Sequence, residues 1–248
     1  AGRAVRLLGQ IMMDQGRYAE AAALARVAVD IRLKAGMVPE ARALAGGREL
    51  LATALVMRRQ YAEAVREFEA MQSGLDTDRE LAARLPRGNQ LWALALMRTG
   101  RAPEAIAMLE PIVARTGERL GASHYSTAEA RGLLAMALAA DGQRERAAQE
   151  FATAIPVLLQ RGSRGSGGEV SAVARAQRLA TIIEAYVRLL FDLRESRGDA
   201  AGQAFRLADA VRGQSWQSAV AAVAARAAVG DRALAELVRK EQDLGNYA

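Results

Sequence analysis

Apolar side chains recur along this chain at the three- and four-residue spacing of a helix face. Leu8 and Met12 share such a face near the N-terminus, and Ala21, Ala25 and Ala28 share one in the next segment. β-Branched and aromatic residues never gather into alternating runs, and only 5 prolines interrupt the 248 residues. Alanine and leucine dominate the apolar positions, and both favour helices. The pattern therefore predicts an all-α protein with long helices.

The helical pattern also repeats itself with a period of about 42 residues. A small residue marks the second helix of each predicted pair, and these anchor alanines are Ala21, Ala64, Ala105 and Ala147. Their intervals are 43, 41 and 42 residues. A matching small residue marks each first helix, and this set is Gly9, Ala52, Ala93 and Ala135. Small side chains let two helices approach closely, whereas larger ones would overpack the contact at roughly 1–3 kcal/mol.

Glycine occupies the predicted turn inside three of the four pairs, at Gly16, Gly100 and Gly142. Because glycine adopts the left-handed backbone conformation without a steric penalty, we expect these residues to end the first helix of each pair. Pro111 and Pro156 fall within second helices. We expect them to bend those helices without ending them.

The recurring small and large apolar positions resemble the tetratricopeptide repeat (TPR) over about residues 2–160. The usual family repeat is about 34 residues long, and the longer period here resembles the variety found in kinesin-light-chain-like arrays. The run Leu120–Thr127 is similar to the link before the first helix of such repeats, with Tyr125 in place of the usual proline. Ser126 and Glu129 predict a capping box at this helix start. The resemblance implies a right-handed superhelix of antiparallel helix pairs, an α–α solenoid.

Composition divides the chain into four parts. Residues 1–160 hold the four long TPR-type pairs, and residues 161–168, rich in glycine, serine and arginine, predict a flexible loop. Residues 169–212 predict an irregular fifth pair that begins with a long amphipathic helix over 169–196. Residues 213–248 predict a C-terminal helical cap or a linker toward a further domain, since terminal repeats are commonly atypical.

Two runs near the C-terminus resemble the segment between the repeats and the catalytic part of bacterial CHAT proteins. These are caspase-like proteases that carry N-terminal TPRs. The runs are Ala208–Ser215 and Arg239–Leu244. The family's protease uses a histidine and a cysteine, and this sequence has no cysteine. The resemblance implies that the chain is a sensor or regulatory arm, and that protease activity would lie in a covalently attached C-terminal domain outside this sequence.

Composition also limits the chemistry within the chain. The lack of cysteine excludes disulfides, thiolate nucleophiles and zinc–thiolate sites here, and a single histidine, His124, cannot build a multi-histidine metal centre. The acidic residues lack metal-loop spacing, and no phosphate-binding glycine loop follows a strand. We therefore expect a non-enzymatic chain without cofactor or metal, in which His124 is a structural loop residue. An enzyme that uses His124 is the weaker alternative.

Charge adds a second hypothesis. The sequence has 34 basic and 28 acidic residues, a net charge of +6, and the basic residues are mostly arginines spread along the chain. Since no basic block is interleaved with aromatic residues, nucleic-acid binding is the alternative and not the preferred function. No apolar stretch approaches the ~20 residues of a membrane span. We expect a cytoplasmic protein, with a periplasmic or secreted location left open.

The TPR resemblance implies a binding groove, because first helices line the concave face of such arrays. We expect a protein or peptide to contact exposed residues there. The expected set is Arg3, Arg6, Gln10, Arg48, Glu49, Thr53, Arg87, Asn89, Gln90, Arg98, Glu129, Arg131 and Met136. Arginine is the most frequent member and pairs with carboxylates through two parallel hydrogen bonds, so the groove suits an acidic peptide. The other interpretation is an ordinary solvated surface.

Overall fold

The computed structural model describes residues 2–38, 42–77, 89–162, 169–195 and 198–209, and the regular elements in these ranges are all α-helices. The first four pairs are α1 (Gly2–Asp14) with α2 (Tyr18–Lys34), α3 (Arg42–Met57) with α4 (Tyr61–Thr77), α5 (Gln90–Arg98) with α6 (Ala102–Leu120), and α7 (Tyr125–Ala140) with α8 (Arg144–Gly162). Helices α9 (Glu169–Asp192) and α10 (residues 200–209) follow. The predicted all-α class is confirmed.

The helices stack as a row of pairs. From α1 to α9, each helix packs against the next one in the chain. First helices also pack against first helices, through the contacts α1–α3, α3–α5, α5–α7 and α7–α9. Among the described helices, second helices make no contacts of comparable extent with one another. The first helices therefore form a continuous inner row, and the second helices lie outside it, as in an α–α solenoid.

The small residues that define the repeat lie where helices meet. The anchor alanines and their first-helix counterparts Ala52, Ala93 and Ala135 have no exposed surface, and Gly9 is buried. A Cβ added at Gly9 would lie 3.1 Å from Cδ2 of Leu50. The close approach predicted from the period is thus confirmed.

The turn inside each pair has one backbone geometry. Gly16, Gly100 and Gly142 have φ angles of 73°, 79° and 82°, as expected. The N–H that follows each of them donates to the carbonyl five residues earlier, which closes the helix end. The second pair makes the same turn with Arg59, whose φ is 59°, and the N–H of Gln60 donates to the Leu55 carbonyl at 2.9 Å. The sequence pattern did not mark Arg59.

Two expectations about helix ends have different outcomes. Helices α6 and α8 continue through Pro111 and Pro156, so the prediction that these prolines do not end them is confirmed. Helix α9 was expected to reach residue 196, which is wrong, because residues 193–195 form a turn. There Nη1 of Arg194 donates to the Phe191 carbonyl at 2.9 Å and satisfies a free helix end. Of the predicted loop 161–168, residues 161 and 162 still belong to α8, and residues 163–168 lie outside the described residues, as does the cap 213–248.

Candidate protein-interaction groove

The inner row carries most of the predicted groove residues that remain accessible. They lie on the first helices α1, α3 and α5. The exposed members are Arg3, Gln10, Glu49 and Arg98, and the half-buried members are Arg6, Thr53 and Gln90. The structure therefore brings polar side chains from three repeats along one row of helices.

Two predicted groove residues are not exposed, and the expectation of exposure is wrong for them. Glu129 is 8% exposed and Met136 is 9% exposed. Helix α9 packs against both α7 and α8 and covers this part of the inner row. The Nε of Arg178 on α9 donates to Oε1 of Glu129 at 2.6 Å, so this carboxylate links two helices. The C-terminal helices close the row instead of extending its accessible surface.

Two predicted groove arginines are held inside their own helix pairs. Nη1 of Arg48 lies 2.9 Å from Oε2 of Glu67, and Nη1 of Arg131 lies 2.9 Å from Oε2 of Glu150. Each arginine stands four residues before the small residue of its first helix, and each glutamate stands three residues after the anchor alanine of its second helix. Equivalent ion pairs thus link the two helices of the second pair and the two helices of the fourth pair.

Asn89 has a defined structural contact, because its Oδ1 accepts the Trp92 N–H at 2.8 Å and caps α5. The ring of Trp92 stacks on Phe68, with centroids 5.6 Å apart, inside the core. Arg87, the remaining member of the predicted groove, lies outside the described residues, as does Trp216.

The second helices form an outer row. Arginines on these helices, or just before them, pair with glutamates of the neighbouring repeat. The three such contacts are Arg26–Glu63 at 3.5 Å, Arg101–Glu69 at 2.6 Å and Arg146–Glu110 at 3.0 Å. Arg101 also binds Glu104 at 2.5 Å, and this hydrogen bond holds the pKa of the Glu104 carboxyl below its usual value. These ion pairs link neighbouring repeats along the outer row.

His124 is the N-cap of α7, where its Nδ1 accepts the Ser126 N–H at 3.1 Å. The predicted capping box is therefore wrong, because the helix begins one residue before Ser126 and Glu129 bonds to α9 instead. The interpretation of His124 as a structural residue agrees with this contact. Serine and threonine are the usual signals for such a cap, and a histidine in this role was missed.

The described part of the chain holds neither a grouped set of metal ligands nor a membrane-spanning helix. No three histidine, aspartate or glutamate side chains there are grouped so that they could hold a metal ion. None of the described helices combines the length and the apolar character needed to cross a lipid bilayer.

These observations define the chain as a TPR-like α–α solenoid, and comparison with known proteins supports that class. The sequence profile of the tetratricopeptide repeat matches residues 6–35, which fall on α1 and α2. Two solved structures of nearly identical TPR-like repeats from a Podosopora anserina protein described as a putative kinesin light chain are similar at 22% identity, the second being a variant of the first. The matches cover 87% of this chain and 95% and 96% of those chains, with TM-scores of 0.54 and 0.56. No curated protein matches this sequence significantly.

Proposed function

We propose that this chain is a non-catalytic scaffold that holds an acidic protein or peptide segment in the groove along its first helices. The observation that carries the proposal is the continuous inner row, on which α1, α3 and α5 present accessible polar side chains. An elongated row of this kind suits an extended ligand, because each repeat offers a separate contact.

The distribution of arginine pairs supports an acidic ligand. Arg3 and Arg98 are exposed on first helices, and neither pairs with a carboxylate in the described part of the chain. Second helices carry both kinds of arginine, since Arg26 and Arg146 pair with glutamates whereas Arg66 on α4 is exposed and has no carboxylate partner in the described part of the chain. On the inner row, Arg3 and Arg98 leave positive charge available, and this charge attracts carboxylates.

Binding of a fluorescein-labelled hexaglutamate peptide to the full chain tests this proposal by fluorescence anisotropy. We expect the double variant Arg3→Glu/Arg98→Glu to bind about 10-fold more weakly, because two attractive contacts become repulsive. The matched control is Arg66→Glu, which reverses an exposed charge on the second helix α4. An equal loss of peptide affinity in the double variant and in Arg66→Glu would contradict a ligand in the groove.

A nucleic-acid titration separates the alternative function from the preferred one. Counterion release makes nucleic-acid affinity fall steeply with salt. We expect a labelled oligonucleotide to show no such steep dependence in filter binding. Tight, salt-sensitive binding of the oligonucleotide together with no binding of hexaglutamate would favour the nucleic-acid function.

The finer part of the proposal is that the scaffold serves as the sensor arm of a larger CHAT-type protease. Its support is the resemblance of the runs Ala208–Ser215 and Arg239–Leu244, most of which lies outside the described residues. Deletion of residues 1–160 from the full-length protein should then change its proteolytic activity or its choice of partner. Unchanged activity and unchanged partners after the deletion would refute this role.

A further inference from the structure

A buried arginine interrupts the apolar core between the first two pairs. Arg32 lies in the last turn of α2 and is only 6% exposed. It stands eleven residues after the anchor Ala21, and the matching residues Leu75 and Leu158 of the second and fourth pairs are buried leucines. The first pair therefore places a charged group at a core position of the repeat.

Helices α1 and α3 flank the Arg32 side chain. A Cβ added at Gly2 of α1 would lie 3.5 Å from Cγ of Arg32, so the aliphatic stem passes close to the start of α1. A Cβ added at Gly47 of α3 would lie 3.5 Å from Nη1 of Arg32 and 3.1 Å from Cγ2 of Val29. Glycine lowers helix stability, yet at position 47 it leaves space beside the guanidinium.

The charge of Arg32 has no carboxylate partner among the described residues. Nη1 donates to the Ala28 carbonyl at 2.9 Å, which engages one of five N–H donors. Burial, and then the like charge of nearby Arg6, lower the pKa of Arg32. The positive end of the α1 dipole adds to this potential, whereas the carboxyl end of α2, in whose last turn Arg32 lies, offsets part of it. A buried cation in such surroundings costs free energy until an anion neutralises it.

The guanidinium of Arg32 is not completely enclosed by the core. The buried polar atoms that lack a hydrogen-bond partner in the described residues include none of the Arg32 nitrogens. Its remaining N–H groups are therefore not sealed inside the core. Arg6 on α1 is half-buried, so the two cations lie at the boundary between the core and the inner row.

We propose that Arg32 and Arg6 form a binding site for one oxyanion, supplied by an aspartate or glutamate carboxylate of the protein ligand. A guanidinium fork fits a carboxylate through parallel hydrogen bonds, and the second cation offsets the cost of desolvation. The proposal rests on the groove function only for the identity of the molecule that carries the carboxylate.

Thermal unfolding of the full chain in sodium succinate, in sodium phosphate and in sodium chloride at equal ionic strength tests the site. We compare the natural chain with Arg32→Leu, which installs the residue type of the second and fourth pairs, and with Arg66→Leu as the surface control. An anion at ten times its Kd favours the folded state about 11-fold, which raises Tm by about 3–6 °C. We expect this rise in the natural chain and in Arg66→Leu, and its loss in Arg32→Leu.

Oxyanion salts also raise Tm without specific binding, because they are excluded from the protein surface. That effect is common to all three proteins, so the difference between them reports the site. Equal succinate-dependent shifts in the natural chain and in Arg32→Leu would overturn the proposal. A rise with phosphate alone would overturn the assignment to a carboxylate.

The hexaglutamate assay then separates this inference from the groove function. We expect Arg32→Leu to lower the affinity for the peptide about 10-fold and Arg66→Leu to leave this affinity unchanged. Succinate-dependent stabilisation without peptide binding would support the oxyanion site and refute the groove. Peptide binding unaffected by Arg32→Leu would refute the role of Arg32 in ligand recognition.

Discussion

At the scale of single residues, Arg59 is the clearest departure from the repeat. Its φ of 59° is a conformation in which an L side chain clashes with the backbone, and the other pairs use glycine there. We expect Arg59→Gly to raise the free energy of unfolding by about 1 kcal/mol, since the strain exceeds the entropy that glycine loses on folding. Chemical denaturation measures this free energy of unfolding. The converse substitution Gly100→Ala should destabilise, and a stabilising Gly100→Ala would contradict this account.

His124 makes a second residue-level prediction. Because its Nδ1 satisfies the Ser126 N–H, His124→Ala should lower the free energy of unfolding by about 1 kcal/mol. His124→Asn should retain most of the stability, since its side-chain oxygen also caps a helix. Ser126→Ala, which keeps the N–H, should have little effect in the same urea titration. A larger loss for Ser126→Ala than for His124→Ala would restore the capping box.

The same residues show how far local signals predict structure. Gly16 was predictable because few other residues adopt its backbone conformation without cost. The left-handed conformation of Arg59 was not predictable from its residue type. The repeat places a turn at this position, and the fold accepts a strained residue there. His124 was interpreted as structural from the link pattern, but its cap depends on the tautomer and rotamer of the ring, which spacing does not report.

At the scale of helices, the contact between α7 and α9 depends on a missing side chain. A Cβ at Gly132 would lie 2.8 Å from Cγ2 of Ile182, which is 1% exposed and has no room to move. We expect Gly132→Ala to cost roughly 1–3 kcal/mol of stability, measured by urea denaturation. The double variant with Ile182→Val should lose less than the sum of its single variants.

Gly46 provides the matched control for this contact. It lies on the first helix α3, and a Cβ there would meet nothing within 4 Å. Gly46→Ala should therefore stabilise the chain by about 1 kcal/mol through helix propensity alone. If both alanine substitutions changed the stability in the same direction, packing of α9 on α7 would not explain the effect of Gly132→Ala.

The helix contacts also explain why the expected exposure holds for some predicted groove residues and fails for others. Exposure of Arg3 and Glu49 follows from the periodic pattern of their own helices. Burial of Glu129 depends on α9, whose contact residue Arg178 is 49 positions away and beyond the regular period. Arg48 binds Glu67 across a helix pair. The sequence pattern predicts which face of its helix each residue occupies, but it does not predict which charged side chains meet.

At the scale of the molecule, a solenoid gives the same repeat position different surroundings along its length. Leu7, Leu8 and Ile11 of α1 are 49%, 46% and 49% exposed. Their counterparts on α3 are Leu50, Leu51 and Ala54, which are at most 6% exposed because the first pair covers them. Burial in this fold therefore comes from the neighbouring pair as much as from the residue itself.

A comparison of Leu8→Ala with Leu51→Ala measures this dependence directly. Both leucines stand immediately before the small residue of a first helix, but they are 46% and 2% exposed. We expect Leu51→Ala to lower the free energy of unfolding by about 2–5 kcal/mol, because it leaves a cavity between two pairs. Leu8→Ala should cost less than about 1 kcal/mol in the same denaturation experiment. Equal costs would mean that α1 is covered in solution to the same extent as α3. Such cover requires a contact on the outer face of α1 that the described helices do not supply.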